Sequence, residues 1–318
     1  MKKLIAIFLA LFILSTLGVA SGTENFVYTE HPLIRNGISL HLDCMSAGQT
    51  DKHILLIHGA TYSSHEFDID YQDYSLVRRL CREGYAVWRL DIAGYGRSGK
   101  VEDGLITTTE YAAEDIGAAV DLILQETGQE KIDLFGWSWG TMTTSRYVSM
   151  HPEKINRLVL YAPIISGIGQ RVITEPFNHN TWEHAADDFQ KNEDGTFNTD
   201  ITEQIMIDLF CSSCWRYDQE SSPNGWRVDA FQDNSVQLID LKAITVPTLV
   251  ICGDKDPYLN YEHVYASLDS LPAGSELKVI PGAAHAMLYE KPFYQEFQNT
   301  IVDFLEGSAD QQKLDDAA

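Results

Sequence analysis

A serine, a histidine and two aspartates occur in local patterns that could support nucleophilic catalysis. Ser138 lies in the stretch KIDLFGWSWG, Asp254 and Asp256 lie in CGDKDPYLN, and His285 lies in PGAAHAM. A serine hydroxyl is a weak nucleophile until a histidine accepts its proton, and a carboxylate must hold that histidine in the correct tautomer. These residue types, in the order Ser, Asp, His, predict a hydrolytic site that works through an acyl-serine intermediate.

The residues around Ser138 predict the local structure that such a nucleophile requires. Gly136, Ser138 and Gly140 form the pattern G-x-S-x-G. The apolar run 132–135 before it predicts a strand, and TMTTSRYVSM after it predicts a helix. A sharp turn between a strand and a helix exposes the serine at the end of a sheet, and the two glycines let these elements approach closely.

Two further predicted strands lead to the acid and the base. VPTLVI (246–251) comes before the two aspartates, and SELKVI (275–280) comes before His285. Short apolar runs rich in β-branched residues are typical of buried strands. Open parallel sheets place their chemistry at the C-terminal ends of the strands, so we expect the acid, the base and the nucleophile to meet at one edge.

Strands and helices alternate along most of the chain. This alternation predicts an α/β protein with a doubly wound, mostly parallel sheet that begins with antiparallel strands. The remaining candidate strands are 26–30, 38–45, 53–59, 85–92, 132–137 and 155–163, and helices are predicted near 74–83, 108–126 and 140–150.

Four sequence motifs resemble those of the α/β-hydrolase family with a serine nucleophile. The similarity spans roughly residues 38–305 and is interrupted in the middle. The motifs are HGAT (58–61), DIAGYGRSG (91–99), GWSWG (136–140), and G-x-x-D (253–256) together with PGAAH (281–285).

The resemblance implies a role for each triad residue. Ser138 would be the nucleophile and His285 the base. The acid of the family falls three residues after the strand-end glycine, which favours Asp256 and leaves Asp254 as the alternative. His58 would brace its loop by hydrogen bonds, since the triad order already assigns the base to His285.

The resemblance also implies an oxyanion hole and a substrate pocket. The backbone N–H groups of Trp139 and Ala60 would stabilise the negative charge on the carbonyl oxygen, with the Thr61 hydroxyl as a possible third donor. We expect Thr61, Tyr62 and Trp137 to line the substrate pocket. The side chain of Trp139, beside the nucleophile, is expected to face the acyl group.

The strand rhythm stops after residue 163 and returns at residue 246. The segment 164–242 is polar and aromatic, with amphipathic pieces such as ITEQIMIDLFCSSC. We expect it to form a largely helical cap, inserted between the sixth and seventh strands of a core made of residues 21–163 and 243–306. Such a cap would cover the nucleophile and shape the pocket.

The N-terminal segment, residues 1–20, has the form of a secretory signal peptide. Two lysines precede a long apolar stretch, with small residues at a cleavage position. This predicts a secreted or periplasmic protein, and an uncleaved membrane anchor is the alternative. Residues 307–318 contain little bulky apolar content and are predicted to be a disordered acidic tail.

The charge of the chain limits its partners. Its formal net charge is −23, with 46 acidic and 23 basic residues. Such a surface repels nucleic acids and anionic membranes. We therefore expect a small-molecule substrate, no nucleic-acid partner and no stable membrane association after signal cleavage. No cofactor or metal is expected, and the oligomeric state stays open.

Cys211 and Cys214 form a C-x-x-C pattern within the predicted cap. Three interpretations remain open: a local disulfide in an oxidising compartment, two unpaired thiols, or a metal site completed by other residues. His179 and His184 lie in the same segment, but their spacing matches no strong metal-binding pattern.

Three functions are compatible with these motifs. The first is a secreted serine hydrolase that cleaves small or medium carboxylic esters. The second is an aminopeptidase or amidase, since the Ser-Trp-Gly sequence resembles the proline-iminopeptidase-like branch; HGATYSS, however, differs from the Gly-Gly-Pro-Gly oxyanion turn of that branch. The third is a non-catalytic receptor that keeps the pocket for ligand binding.

Overall fold

The computed structural model describes residues 25–307. The predicted signal segment and residues 308–318 of the predicted tail lie outside this range. Ten strands are present in the described range: β1 (Val27–Arg35), β2 (Ile38–Ser46), β3 (His53–Ile57), β4 (Ala86–Asp91), β5 (Ile132–Trp137), β6 (Ile155–Tyr161), β7 (Phe177–His179), β8 (Ser221–Pro223), β9 (Thr248–Gly253) and β10 (Glu276–Ile280).

Eight of these strands form one twisted sheet in the order β1-β2-β4-β3-β5-β6-β9-β10. The first strands are antiparallel, and from β4 to β10 all neighbours are parallel. The predicted fold class is confirmed, including the antiparallel start. Strands β3, β4, β5 and β9 are buried along their whole length, as expected for strands covered on both faces.

Helices pack on both faces of the sheet and create two apolar layers. The α-helices of the described residues are α1 (Leu76–Arg82), α2 (Thr109–Thr127), α3 (Trp139–Met150), α4 (Trp182–Ala185), α5 (Gln204–Tyr217), α6 (Gly225–Ala230), α7 (Tyr261–Tyr265) and α8 (Tyr294–Leu305). One layer includes residues of α1 and α8, and the other includes residues of α2 and α3.

Local sequence signals set the ends of these helices. The Thr108 side chain accepts a hydrogen bond from the Tyr111 N–H at the start of α2, and Gly128 ends that helix with a φ of 72°. A threonine N-cap satisfies a backbone donor that would otherwise lack a partner, and glycine adopts the left-handed conformation without strain.

The segment 164–242 lies between β6 and β9, the sixth and seventh strands of the main sheet. It contains α4, α5, α6 and a two-stranded antiparallel sheet formed by β7 and β8. We call this part of the chain the inserted segment.

Among residues 25–307, the structure contains no helix long and apolar enough to cross a membrane.

Candidate active site

Ser138 occupies a strained turn between β5 and α3. Its backbone has a φ of 55° and a ψ of −120°, a conformation that residues other than glycine seldom adopt. A Cβ atom at Gly140 would lie 2.5 Å from the Ile57 carbonyl oxygen, and one at Gly136 would lie 2.3 Å from the Gly140 oxygen. Gly136 therefore allows β5 and α3 to meet at this turn, and Gly140 allows α3 to lie against the end of β3.

His285 contacts one of the two candidate acids. Its Nδ1 atom lies 2.7 Å from Oδ2 of Asp256, and both side chains are buried. The Tyr258 N–H donates to Oδ1 of Asp256, and the Tyr258 ring packs edge-on against His285 at 4.7 Å between centroids. Because an ionised carboxylate only accepts, Nδ1 carries the proton and Nε2 is left free to act as a base.

Asp254 has a different partner. Its Oδ1 accepts a hydrogen bond of 2.7 Å from the Gly282 N–H, at the start of the turn that leads to His285. Asp254 therefore stabilises the backbone near the histidine, whereas Asp256 contacts the imidazole itself.

Two opposing effects act on the pKa of His285. Burial disfavours the imidazolium, but the charge of Asp256 and its hydrogen bond favour it, and the net result raises the pKa above its ordinary value. A raised pKa makes Nε2 a stronger proton acceptor, as general-base catalysis requires.

The turn after β3 lies against Ser138. A Cβ atom at Gly59 would be 3.2 Å from the Cβ of Ser138, and Ala60 borders the same cavity as Ser138. The Gly59 N–H donates to the buried Glu66 carboxylate, and Thr61 has a φ of 85°. These contacts hold the turn beside the nucleophile, next to the N-terminal end of α3.

His58 has both ring nitrogens engaged. Nδ1 lies 2.7 Å from the Gly59 carbonyl oxygen, and the Ile92 N–H donates to Nε2. The ring is therefore neutral, and burial lowers its pKa in agreement with this arrangement. His58 connects β3 to the loop after β4 and has no free nitrogen to serve as a base.

Several of the site residues predicted from the sequence border one cavity of about 350 Å³. Ser138, His285, Ala60, Thr61 and Tyr62 all border it. The opposite wall comes from the inserted segment, which contributes apolar and charged side chains. These are Ile164, Ile168, Arg171, Asn178, His184, Asp187, Asp188, Trp226, Arg227 and Phe231.

Two tryptophans do not lie where the sequence suggested. Trp137 is absent from the cavity wall; it stacks on Tyr161 within the apolar layer, because the alternation of β5 directs it to that face of the sheet. The Trp139 ring is buried against Tyr95, and its Nε1 donates to Thr109. The expectation that Trp137 lines the pocket is therefore corrected, as is the expected direction of Trp139.

The charged residues of the cavity wall were not recognised in the sequence. Arg227, His184 and the pair Asp187–Asp188 lie far from Ser138 along the chain and belong to no motif. Single charged residues in a polar segment look like ordinary solvated positions. No pattern within the segment marks these side chains as cavity residues, so only the packing of the inserted segment against the core identifies them.

The cysteines are buried and unpaired in the structure. This holds for Cys211 and Cys214 in α5, whose thiol pKa values are raised by burial, to about 12 for Cys211. Within residues 25–307, no cluster of three His, Cys, Asp or Glu side chains is arranged to hold a metal ion. Of the three interpretations of the C-x-x-C pattern, the structure corresponds to two unpaired thiols.

Comparison with known proteins establishes the family. The profile described as alpha/beta hydrolase fold matches residues 52–292, more than half of the chain. The protein belongs to the alpha/beta hydrolase fold family.

Individual relatives have several chemistries. A candidate non-heme chloroperoxidase of Synechocystis sp. is 27% identical over 270 residues, 79% of this chain and 89% of the relative. The pimeloyl-[acyl-carrier protein] methyl ester esterase of Yersinia enterocolitica is 23% identical over 282 residues, 82% of this chain and 96% of the relative. A thermophilic esterase from Thermogutta terrifontis has a similar structure, with a TM-score of 0.65 and 19% identity, covering 88% of this chain and 98% of that one. The family and these relatives support hydrolase activity.

Proposed function

We propose that the protein is a serine hydrolase that cleaves small or medium carboxylic esters through an acyl-enzyme. One observation carries the proposal: Ser138 and His285 border a single cavity, and Asp256 orients His285 across 2.7 Å. This placement supports the proposal, because acyl transfer requires a nucleophile, a base and an acid that orients the base.

The proposed reaction has two stages. The Ser138 Oγ attacks the ester carbonyl carbon while His285 Nε2 accepts its proton, and the backbone N–H groups of Ala60 and Trp139 stabilise the tetrahedral oxyanion. The C–O bond to the alcohol then breaks, and the imidazolium returns the proton to the leaving oxygen. Water attacks the acyl-serine in the same way, which releases the acid and regenerates Ser138.

The cavity and the inserted segment support a limit on substrate size. A volume of about 350 Å³ lies at the lower end of the range for small-molecule sites. We propose that the inserted segment acts as a cap over Ser138, so that turnover falls when the acyl chain outgrows the space beneath it.

The proposal is tested with a fluorophosphonate and a series of aryl esters of graded acyl length. Ser138 should be labelled covalently, and Ser138→Ala should lower turnover by about 10⁴-fold or more. Ser149→Ala on α3 is the matched control, because Ser149 lies outside the cavity and binds the Arg146 carbonyl oxygen. Full activity of Ser138→Ala would refute the mechanism.

The aminopeptidase reading has one observation in its favour. Asp187 and Asp188 border the cavity and could attract a substrate ammonium. Each carboxylate already has a partner, however: Lys191 lies 2.9 Å from Asp187, and the Tyr258 hydroxyl donates to Asp188. Proline and alanine aryl amides should therefore be poorer substrates than the esters, and a higher kcat/KM for an aminoacyl amide than for every ester would replace our proposal. Binding without any turnover would favour the receptor reading.

A further inference from the structure

Arg227 brings a buried positive charge into the cavity. It lies on α6, is only 8% exposed, and borders the same space as Ser138 and His285. Its Nη1 donates to the Asn224 side-chain oxygen at 2.8 Å, and its Nη2 donates to the Thr61 hydroxyl at 3.3 Å. A guanidinium has five N–H donors, so most of its capacity remains after these two bonds.

No carboxylate of the described chain pairs with Arg227. Both of its hydrogen-bond acceptors are neutral, and the group above it is the Trp226 ring, 4.6 Å from the guanidinium carbon. The acids in the cavity, Asp187 and Asp188, are bonded to other donors. Burial lowers the pKa of Arg227, and the nearby charge of Arg171, which borders the same cavity, lowers it further. An uncompensated buried charge is costly, and a ligand that supplies the counter-charge removes part of this cost.

Other polar atoms of the same wall also lack a partner within the described residues. They are the Tyr62 hydroxyl, the Nδ1 of His184 and the indole Nε1 of Trp226, all buried. Tyr62 is 5% exposed and follows Thr61 directly. A fully apolar ester would leave all of these groups unsatisfied, at a cost for each of them. A ligand with acceptor oxygens would supply a partner for the two donors among them, the Tyr62 hydroxyl and the Trp226 indole N–H.

We propose that the substrate is an ester that carries a carboxylate, and that Arg227 binds this carboxylate while Ser138 attacks the ester carbonyl. The inference rests on the proposed function and specifies its substrate class. A planar guanidinium with free donors is suited to a carboxylate, which it can bind through two parallel hydrogen bonds. Arg227 is then a specificity-determining residue in contact with the substrate.

Two pairs of isosteric esters test the proposal on either side of the scissile bond. The first compares 4-nitrophenyl hydrogen glutarate with 4-nitrophenyl 5-methylhexanoate, in which an isopropyl group replaces the carboxylate. The second compares 4-acetoxybenzoate with 4-isopropylphenyl acetate. In at least one pair, the charged ester should have the higher kcat/KM, by about 10- to 100-fold, the range expected for hydrogen bonds to a charged group.

Variants assign this preference to Arg227. Arg227→Met should abolish it, lowering kcat/KM for the charged ester by about 10- to 100-fold and for the neutral isostere by less than about 3-fold. Arg227→Lys keeps the charge but loses the planar fork, and should retain part of the preference. Arg146→Met is the matched control, because Arg146 lies outside the cavity and pairs with Glu110; it should retain the preference in full.

The outcomes separate anion binding from a structural role. If the wild type shows no preference for the charged ester in either pair, the proposal is overturned. It is also overturned if Arg227→Met lowers kcat/KM equally for both members of a pair, because the arginine would then only position Thr61. If Arg227→Met does not fold, the proposal is tested by two other results: the preference of the wild type for the charged ester, and the reduction of that preference in Arg227→Lys.

A binding measurement distinguishes a failure of the role proposed for Arg227 from a failure of the proposed hydrolase function. Ser138→Ala should bind glutarate in a calorimetric titration, and Ser138→Ala with Arg227→Met should bind it at least about 10-fold more weakly. Binding without turnover of any ester by the wild type would refute only the hydrolase proposal. Ester turnover without this difference in binding would refute only the role of Arg227.

Discussion

Asp256 and His285 are joined by a hydrogen bond of 2.7 Å between two buried side chains, although 28 residues separate them in the sequence. Asp254, on the same turn as Asp256, bonds instead to the Gly282 backbone. Two aspartates of similar local context thus have different partners, so we expect their asparagine variants to differ in turnover.

Asp256→Asn should lower turnover of the best aryl ester by about 10⁴-fold, because the amide would favour the wrong imidazole tautomer. Asp254→Asn should have a much smaller effect, since it touches only the backbone of the turn. Steady-state kinetics of both variants gives the comparison, and circular dichroism checks their folding. A larger loss in Asp254→Asn would transfer the role of the acid to that residue.

The pH dependence of kcat/KM should report the environment of His285. The base must be neutral to accept a proton, and its pKa is raised by Asp256 despite the opposing effect of burial. Activity should therefore rise with pH through an apparent pKa above about 6.5, the ordinary value for histidine. In Asp256→Asn, the midpoint of the pH profile of the residual activity should shift to lower pH, because the charge that raises the His285 pKa is lost. A midpoint below 6.5 in the wild type would contradict the electrostatics described for the site.

Gly140→Ala should destabilise the protein by several kcal/mol, on the order of a severe overpacking mutation. The new Cβ would lie 2.5 Å from a backbone oxygen of Ile57, which cannot move without displacing β3. Gly117→Ala on α2 is the control: its Cβ would contact only the Tyr147 ring at 3.4 Å. That variant should be neutral or stabilised by up to about 1 kcal/mol through helix propensity. Thermal and urea unfolding measure both, and equal stability of the two variants would contradict the packing at Gly140.

Asp218 of the inserted segment binds the core through four donors. Its carboxylate accepts from the Ser63 N–H and hydroxyl, from the Gly96 N–H, and from His65 Nε2 at 2.9 Å. Asp218→Ala would leave these buried donors unsatisfied and should cost about 3–5 kcal/mol in unfolding free energy.

Asp121→Ala is the control for Asp218→Ala. Asp121 forms an exposed ion pair with Lys154, and its removal should cost less than about 1 kcal/mol. Urea unfolding of both variants gives the difference. A loss in Asp218→Ala no greater than that in Asp121→Ala would show that this contact does not hold the inserted segment on the core.

Export is tested separately by intact-mass analysis of the protein from its native host. The positive N-terminus, the apolar stretch and the small residues at Gly18 and Ala20 predict cleavage close to Ser21. A chain that retains residues 1–20 and fractionates with the membrane would favour the anchor reading instead.

Much of the fold was determined by local sequence. Central strands such as β3 and β9 were recognisable because short apolar runs rich in β-branched residues are typical of buried strands, and the alternation of strands with helices restricts the topology. The turn at Ser138 was also recognisable, because its glycines act within five residues of one another. In each case the deciding interactions are local or follow from the hydrophobic period.

Other features were decided only by tertiary structure. Trp137 and Ser138 are adjacent, yet one side chain packs inside the apolar layer and the other faces the cavity, since the pleat of β5 and the turn after it set their directions. Arg227 reaches the site from α6, where nothing in the neighbouring residues distinguishes it from a solvated arginine. The sequence by itself therefore determines the fold and the residue types that could react, because these depend on local conformation and burial. The choice between Asp254 and Asp256 and the charge of the cavity depend on distances between residues far apart in the chain, and only the folded structure sets those distances.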